Sequence, residues 1–352
     1  MTLRIAAVGA GRATRELTFP AFRRVKHGAL VALCDPQKSR ADMLAQKQNI
    51  SAYTNMAEMI EREHPDVVIV NTPVATHASL AVQAMEMGVH VIIEKPAVAS
   101  LAELDAIKRA AEQTGKKWTV VHNYKFYQGP QEALRLYQEG VLGEILHVDR
   151  YWMSPPQHDR MESDQNGWWH QLPGGRLADA LPHMLYIPYM FVGGMELLCV
   201  SARKMAADRP WSVADESHVL LQTPRAYVNI RQSTNMESWP YKGYIYHTFL
   251  YGTKLALMAN HHEAVIIGHG KKGDMKRGII AAREYLKEKL GRADHPTRGA
   301  HNRFYDAFFL HVLGDGENPS AWNEIQNVAA LTDAIGQKMQ ECIDQKKDIV
   351  LA

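Results

Sequence analysis

A chain of 352 residues exceeds the span of a single hydrophobic core, about 250–300 residues, so two domains are expected. Its 40 Lys and Arg nearly balance 38 Asp and Glu, and a net charge of +2 excludes the basic field that recruits nucleic acid or an anionic membrane. The apolar runs are strand-sized, which excludes a helical membrane span, and the three cysteines have neither CxxC nor zinc-type spacing.

From Thr2 the chain passes directly into the apolar run 3–8, without a charged n-region, h-region and cleavage site, so a cytoplasmic protein is expected. Cys34, Cys199 and Cys342 read as buried thiols of a reducing compartment. Apolar, β-branched runs at 5–8, 30–34, 67–70, 89–93 and 118–121 have the length of strands buried on both faces. Amphipathic stretches of helical period lie between them, at 39–47, 77–87 and 101–112. This alternation predicts an α/β Rossmann domain over residues 1–124, a doubly wound parallel sheet whose ligands bind beyond the carboxyl ends of its strands.

The first strand–helix turn reads Val8-Gly9-Ala10-Gly11-Arg12-Ala13-Thr14. Gly9 and Gly11 suit a tight turn followed by close approach of the backbone to a pyrophosphate at a helix N-terminus. Thr14 stands where that pattern has a third Gly or Ala. Asp35 closes the second predicted strand, where an acidic residue hydrogen-bonds the adenosine ribose hydroxyls. A carboxylate there repels a 2′-phosphate, so NAD is expected in preference to NADP. Arg40 reads as a solvated helix-face arginine, with a softening of that preference as the alternative, and Asp35 before Pro36 also suits a turn.

Further signals come in order along the chain: Asn71-Thr72-Pro73, His77, Gly88-Val89-His90-Val91 leading to Glu94-Lys95-Pro96, Asn123-Tyr124-Lys125-Phe126, and Gly174-Gly175-Arg176-Leu177-Ala178-Asp179 with His183. In this order they resemble the glucose–fructose oxidoreductase, inositol dehydrogenase and related sugar dehydrogenases, the Gfo/Idh/MocA family. The resemblance implies that Lys95 lies beside the nicotinamide and the substrate hydroxyl, with the following proline peptide often cis. It implies that Asp179 and His183 bind the sugar, His183 as an acid or base. Gly9, Gly11, Arg12, Ala13, Asp35, Arg40, Asn71, Thr72, Pro73, His77, Glu94, Lys95 and Asn123 would border the cofactor. The residues agree with this: a lysine at a strand's carboxyl end in the crevice is partly desolvated and suited to proton exchange. Asp179 and His183, four apart, share one face of a helix, where a carboxylate can orient an imidazole.

The chain departs from the family pattern at Pro173, Leu181 and Tyr186, the last replacing an acid. Pro182 precedes His183, so the helix either begins near Asp179 or is kinked at Pro182.

From about residue 125 the composition changes. A helical stretch at 131–140 leads to alternating strands at 145–151, 219–222, 227–233, 244–250 and 255–258, and 322–346 reads as a closing helix. Residues 125–352 are therefore expected to form an α+β substrate domain with a mostly antiparallel, open-faced sheet. In the family a second subunit covers such a face, so a homodimer or homotetramer is implied. The stretch 269–294, rich in Lys, Arg and Gly, reads as an exposed insertion with a short amphipathic helix. Trp152, Trp168, Trp169, His170 and Trp239 are candidates for the substrate cleft with Tyr124, since flat aromatic faces suit the C–H faces of a sugar. Each tryptophan taken alone reads as core rather than ligand. Arg176 is expected at a helix start facing solvent, with a substrate carboxylate or phosphate as the alternative. The 17 histidines form no HExxH, and His261-His262 and His269 read as solvated turn residues, so no metal is expected.

The reaction so implied is oxidation of a secondary alcohol on a sugar or cyclic polyol, or its reverse, with hydride passing to or from the nicotinamide. Lys95 and His183 handle the hydroxyl proton, and Asp179 supports both. One alternative is an NAD-dependent glycosidase or lyase that oxidises the ring transiently, eliminates a substituent and re-reduces it, with His183, His170 or Tyr124 as second base. Another is a non-catalytic dinucleotide-binding regulator on the same fold.

Overall fold

The computed structural model describes residues 1–155, 160–235, 245–267, 296–346 and 349–350. The chain divides into two compact units, Met1–Phe126 with Thr297–Ala329, and Tyr127–Pro296 with Ala330–Ala352.

The first unit is built on β1 (Leu3–Val8), whose side chains other than Arg4 are all buried. Around it run β2 (Gly28–Cys34), β3 (Ser51–Tyr53), β4 (Val67–Val70), β5 (His90–Ile93) and β6 (Trp118–Val120). The order is β3-β2-β1-β4-β5-β6 and every pair is parallel. That order reverses between β1 and β4, so a ligand crevice opens beyond the ends of these two strands. The helices are α1 (Phe19–Phe22), which continues a π-helical turn at Thr14–Thr18, then α2 (Lys38–Gln46), α3 (Met56–Glu63), α4 (His77–Glu86) and α5 (Leu101–Thr114). Local chemistry starts them. The Asn55 side chain accepts the Glu58 N–H at 3.1 Å, and Ser100 accepts that of Glu103 at 3.3 Å while Glu103 reaches back to the Ala99 N–H at 2.9 Å.

Alternate residues along the strands feed opposite faces of the sheet. Val8, Val68, Val70, Val91 and Ile93 pack with Met59, Met85, Leu104 and Ile107 of α3, α4 and α5. Ile5, Val67, Ile69 and Ile92 pack instead with Phe304, Phe308 and Phe309 of α9 (Pro296–Leu313). Burying each of those phenylalanines contributes about 1.5–3 kcal/mol.

The second unit holds an eight-stranded sheet of β7 (Ile145–Met153), β8 (Glu196–Arg203), β9 (Glu216–Gln222), β10 (Tyr227–Ser233), β11 (Ile245–Gly252), β12 (Ala256–Ala259), β13 (Ala264–Ile267) and β14 (Ile349–Val350). Its order is β13-β12-β11-β7-β10-β9-β8-β14, antiparallel except between β7 and β10. The helices of this part are α6 (Gln128–Gln138), the short α7 (Arg160–Ser163), α8 (Gly175–Val192) and α10 (Trp322–Gln345), whose first turns belong to the first unit. One sheet face lies on α8, where the Gln232 amide donates to the Leu177 carbonyl at 3.0 Å. The other carries Tyr151, His247 and Phe249, with Tyr227 and Tyr251 exposed.

The α/β plus α+β architecture read from the sequence is the one observed. Four strands escaped the pattern: β3, β13 and β14 are only two to four residues long, and a bulge between Leu197 and Cys199 breaks the alternation of β8. Cys34 and Cys342 are buried as expected, whereas Cys199 is only half-buried. The segment 269–294 with His269, together with Trp239 and Tyr244, lies outside the described residues. Among the described residues, no helix is long and apolar enough to cross a membrane.

A buried charge cluster closes the first unit. His122 Nδ1 lies 2.6 Å from Glu324 Oε1, and Lys125 Nζ donates to Glu324 Oε2 at 2.6 Å. Burial holds His122 below the usual histidine range despite its carboxylate partner, and burial does the same to His77. Burial by itself would raise Glu324, but His122 and Lys125 outweigh it and hold the carboxyl low. The unfolded chain therefore takes up protons on these histidines near pH 6.5 while the folded chain does not, and stability falls as pH drops below that value. Glu324 adds to the loss at lower pH, as its carboxylate is protonated. Each buried neutral histidine contributes up to about 1.4 kcal/mol per pH unit. Calorimetry should show a Tm that declines steadily from pH 6.5 to 5. A Tm flat across that range would mean that the histidines titrate alike folded and unfolded.

Candidate functional site

In the first unit, the crevice is lined by the loops after β1, β2, β4 and β5. Gly9 has φ +98°, and a Cβ there would lie 2.7 Å from the Asn71 carbonyl oxygen, so both conformation and space demand glycine. Gly11 has no such constraint: a Cβ would meet no protein atom within 4 Å. Open space over a turn at the start of a helix is what the close approach of a pyrophosphate requires. Gly9→Ala should therefore destabilise the fold by about 1–3 kcal/mol. Gly11→Ala should leave Tm within about 1 °C of the parent while weakening NADH binding several-fold, as read by thermal melts and fluorescence titration. Equal effects of the two substitutions on Tm would contradict this assignment.

Asp35, 8% exposed, ties this turn to the end of β2. Its Oδ2 accepts the Ala10 N–H at 2.7 Å and its Oδ1 the Gln37 N–H at 2.8 Å. Each carboxylate oxygen has a second lone pair, so ribose hydroxyls can be added without breaking these bonds. Burial and the Asp35 charge push the neighbouring Cys34 thiol up to about 11, which keeps it inert. Arg12 and Arg40 are exposed, Ala13 is half-buried, and Arg40 lies on α2.

Thr14 departs from the fingerprint but is fully buried. Its hydroxyl donates to the Gly9 carbonyl, and the Asn71 amide donates to Thr14 Oγ1 and to Thr18 Oγ1, each at 2.9 Å. The π-helical turn aims both threonines at Asn71, so the asparagine side chain holds the turn from beneath. Thr72 is half-buried and Pro73 exposed. His77 bridges two loops: Nε2 meets the Thr72 carbonyl at 2.8 Å, and Nδ1 meets that of Pro96 at 2.9 Å.

Lys95 follows β5 and is half-buried, and the Lys95–Pro96 peptide is cis. Its N–H donates to Glu94 Oε2 at 2.8 Å, and Glu94 is itself buried. Glu94 Oε1 lies 4.0 Å from His301 Nε2, and the Asn123 amide approaches His301 Nδ1 at 3.4 Å. His301, on α9, has no counterpart in the sequence reading. Nothing in the local pattern marks it, although an isolated histidine among Phe304, Phe308 and Phe309 is a polar group on an otherwise apolar face. Tyr124 is half-buried.

In the second unit, Gly174 and Gly175 both have positive φ and open α8. The helix begins at Gly175, not near Asp179, and Pro182 lies in its interior, where the Ala178 carbonyl loses its usual donor. Arg176 does not face solvent as expected. It is buried, its Nη1 donates to Asp179 Oδ2 at 3.0 Å, and its guanidinium lies 4.6 Å from the centre of the Trp152 ring. The buried Asp179 carboxylate compels this, because an ion out of water needs a partner. His183 Nδ1 lies 2.6 Å from the Tyr186 hydroxyl, a contact that orients the imidazole.

The aromatic candidates divide. Trp152 is fully buried beneath Arg176, and Trp169 is buried with its Nε1 donating to the Met161 carbonyl at 3.0 Å. Trp168 and His170 are half-buried, His170 Nε2 meeting the Asp164 carbonyl at 3.1 Å. His261 is not a solvated turn residue: it stacks between Tyr127 at 4.0 Å and Tyr246 at 4.6 Å, and burial holds it well below the usual histidine range. His262 is exposed.

The model of the oxidoreductase family with an NAD-binding Rossmann fold (Gfo/Idh/MocA) matches residues 3–122, and that of the GFO/IDH/MocA C-terminal domain matches residues 131–257. An uncharacterized oxidoreductase of Escherichia coli, YdgJ, is 26% identical over 351 residues, covering 90% of each chain. A 2,7-anhydro-N-acetylneuraminate hydratase of Mediterraneibacter gnavus is 27% identical over 246 residues, 66% of this chain and 59% of that protein. The crystal structure of scyllo-inositol dehydrogenase from Lactobacillus casei with bound NAD(H) and scyllo-inositol superposes with a TM-score of 0.76 at 17% identity, over 99% of both chains.

Proposed function

The chain belongs to the Gfo/Idh/MocA family of oxidoreductases with an NAD-binding Rossmann fold, and on that premise we propose that it oxidises a secondary alcohol of a sugar, sugar derivative or cyclic polyol, or catalyses the reverse. The observation that carries this reading is Lys95, half-buried at the carboxyl end of β5, with its backbone tied to Glu94 and its proline carbonyl to His77. Lys95 takes the hydroxyl proton as the carbinol carbon is oxidised. His183, oriented by Tyr186, exchanges protons with a sugar hydroxyl, and Asp179 accepts hydrogen bonds from the sugar. Tyr124, Trp169 and His170 contribute contacts to the ring. The cofactor, when bound, supplies the hydride acceptor. Asp35 makes it NAD in preference to NADP, and the space above Gly11 fits the pyrophosphate.

The test is absorbance at 340 nm with NAD⁺ and a panel of inositols, sugars and sugar nucleotides. Reduction of NAD⁺ by one of them supports the reading; failure of the chain to bind NADH overturns it. The hydratase relative supports a second reading, because a hydratase adds water with no net redox change. In that case the sugar is oxidised transiently and re-reduced. Product would then form from an anhydro- or glycosidic sugar without any change at 340 nm. We also propose a homodimer or homotetramer through the sheet face that carries Phe249 and the exposed Tyr227 and Tyr251, with sedimentation velocity as the check.

A further inference from the structure

Helix α9 carries two buried polar residues one turn apart, His301 and Tyr305, beside Phe304, Phe308 and Phe309. A phenylalanine would fill either position, so the imidazole and the hydroxyl add polar bonds more than packing. A buried polar group is costly unless it has partners, and both have them. Their partners lie on different loops.

The Tyr305 hydroxyl lies 3.1 Å from Thr18 Oγ1. Thr18 accepts from the Asn71 amide, the same amide donates to Thr14, and Thr14 donates to the carbonyl of Gly9. This buried chain ends on the turn of residues 9–13. Burial raises the Tyr305 hydroxyl far above its usual range, with the Glu94 charge adding to the effect, so it stays a neutral phenol. His301 points to a different place: Nδ1 meets the Asn123 amide at 3.4 Å and Nε2 lies 4.0 Å from Glu94 Oε1. The other oxygen of Glu94 holds the Lys95 N–H at 2.8 Å.

We infer that α9 is a two-point brace for the dinucleotide, with Tyr305 positioning the turn under the pyrophosphate and His301 positioning the Glu94–Lys95–Pro96 loop at the nicotinamide end. Both are positioning residues, since each acts through others. The inference rests on the NAD reading above and assigns separate residues to the two halves of that site.

Two probes separate the halves: NADH, and ADP-ribose, which lacks the nicotinamide. Affinities come from fluorescence titration and calorimetry on the full chain, with a thermal melt for each variant. Tyr305→Phe should weaken NADH and ADP-ribose alike, about five-fold each, equivalent to about 1 kcal/mol. His301→Ala should weaken NADH about five-fold and leave ADP-ribose within about two-fold. His301→Gln, which keeps a polar side chain between Asn123 and Glu94, should recover most of the NADH affinity, and it carries the test if the alanine variant melts below the assay temperature. Both probes shifting together in the His301 variants, or neither shifting in either set, would overturn the brace. Failure of the parent chain to bind NADH would instead overturn the NAD reading itself.

Discussion

Lys95→Met should lower kcat by about a thousand-fold while NADH affinity stays within about two-fold of the parent, as expected for the loss of the proposed proton-transfer group. The loop around Lys95 is held by backbone bonds: its own N–H to Glu94, the Glu94 N–H to Val70 at 3.0 Å, and the Pro96 carbonyl to His77. None of these uses the lysine side chain. Methionine fills the volume of the aliphatic stem and lacks only the ammonium, so the fold and the cofactor crevice survive the change. Steady-state rates at 340 nm, with whichever polyol reduces NAD⁺, read the first quantity and NADH fluorescence the second. A kcat within ten-fold of the parent would remove Lys95 from the chemistry. A parallel collapse of NADH affinity would make it a binding residue instead.

The second large effect belongs to the buried pair on α8. Arg176→Met should cost about 3–5 kcal/mol of stability, because it strands the Asp179 carboxylate, 1% exposed, away from its guanidinium partner. The loss of the cation over Trp152 adds about 0.5–2 kcal/mol to the same side. Removing both charges should restore much of what removing one destroys, so Arg176→Met with Asp179→Leu is expected to recover at least half of the lost stability. Urea midpoints at constant m measure this. Activity separates the structural role from the proposed one. If Asp179 binds the sugar, the double variant is folded and inactive; a folded and active double variant would reduce Asp179 to a structural partner of Arg176.

Much of the nucleotide-binding unit was legible because its signals are local. Branched residues in short runs mark strands covered on both faces, and the glycine spacing of Gly9 and Gly11 marks a turn whatever surrounds it. The structure assigned the two glycines different reasons, one steric against Asn71 and one an open space. Thr14 looked like a defect in the same motif, and its buried bonds to Gly9 and Asn71 were invisible in a one-dimensional pattern. Tyr186 looked like the loss of an acid, yet its hydroxyl lies 2.6 Å from His183 Nδ1. Arg176 was misread for a related reason: a helix-start arginine is ordinarily solvated, and only the packing of α8 on Trp152 buries it.

The sequence by itself determined the alternation of strands and helices, the glycine turn after β1, the acidic end of β2 and the lysine after β5. These depend on residues within a few positions of one another, where period and backbone geometry decide the outcome. Tertiary structure alone decided that residues 297–329 return to the first unit, that His301 faces Asn123 across 178 positions of chain, and that His261 lies stacked between two tyrosines. A buried polar side chain takes its identity from the partner that satisfies it, and that partner is fixed by which elements pack together.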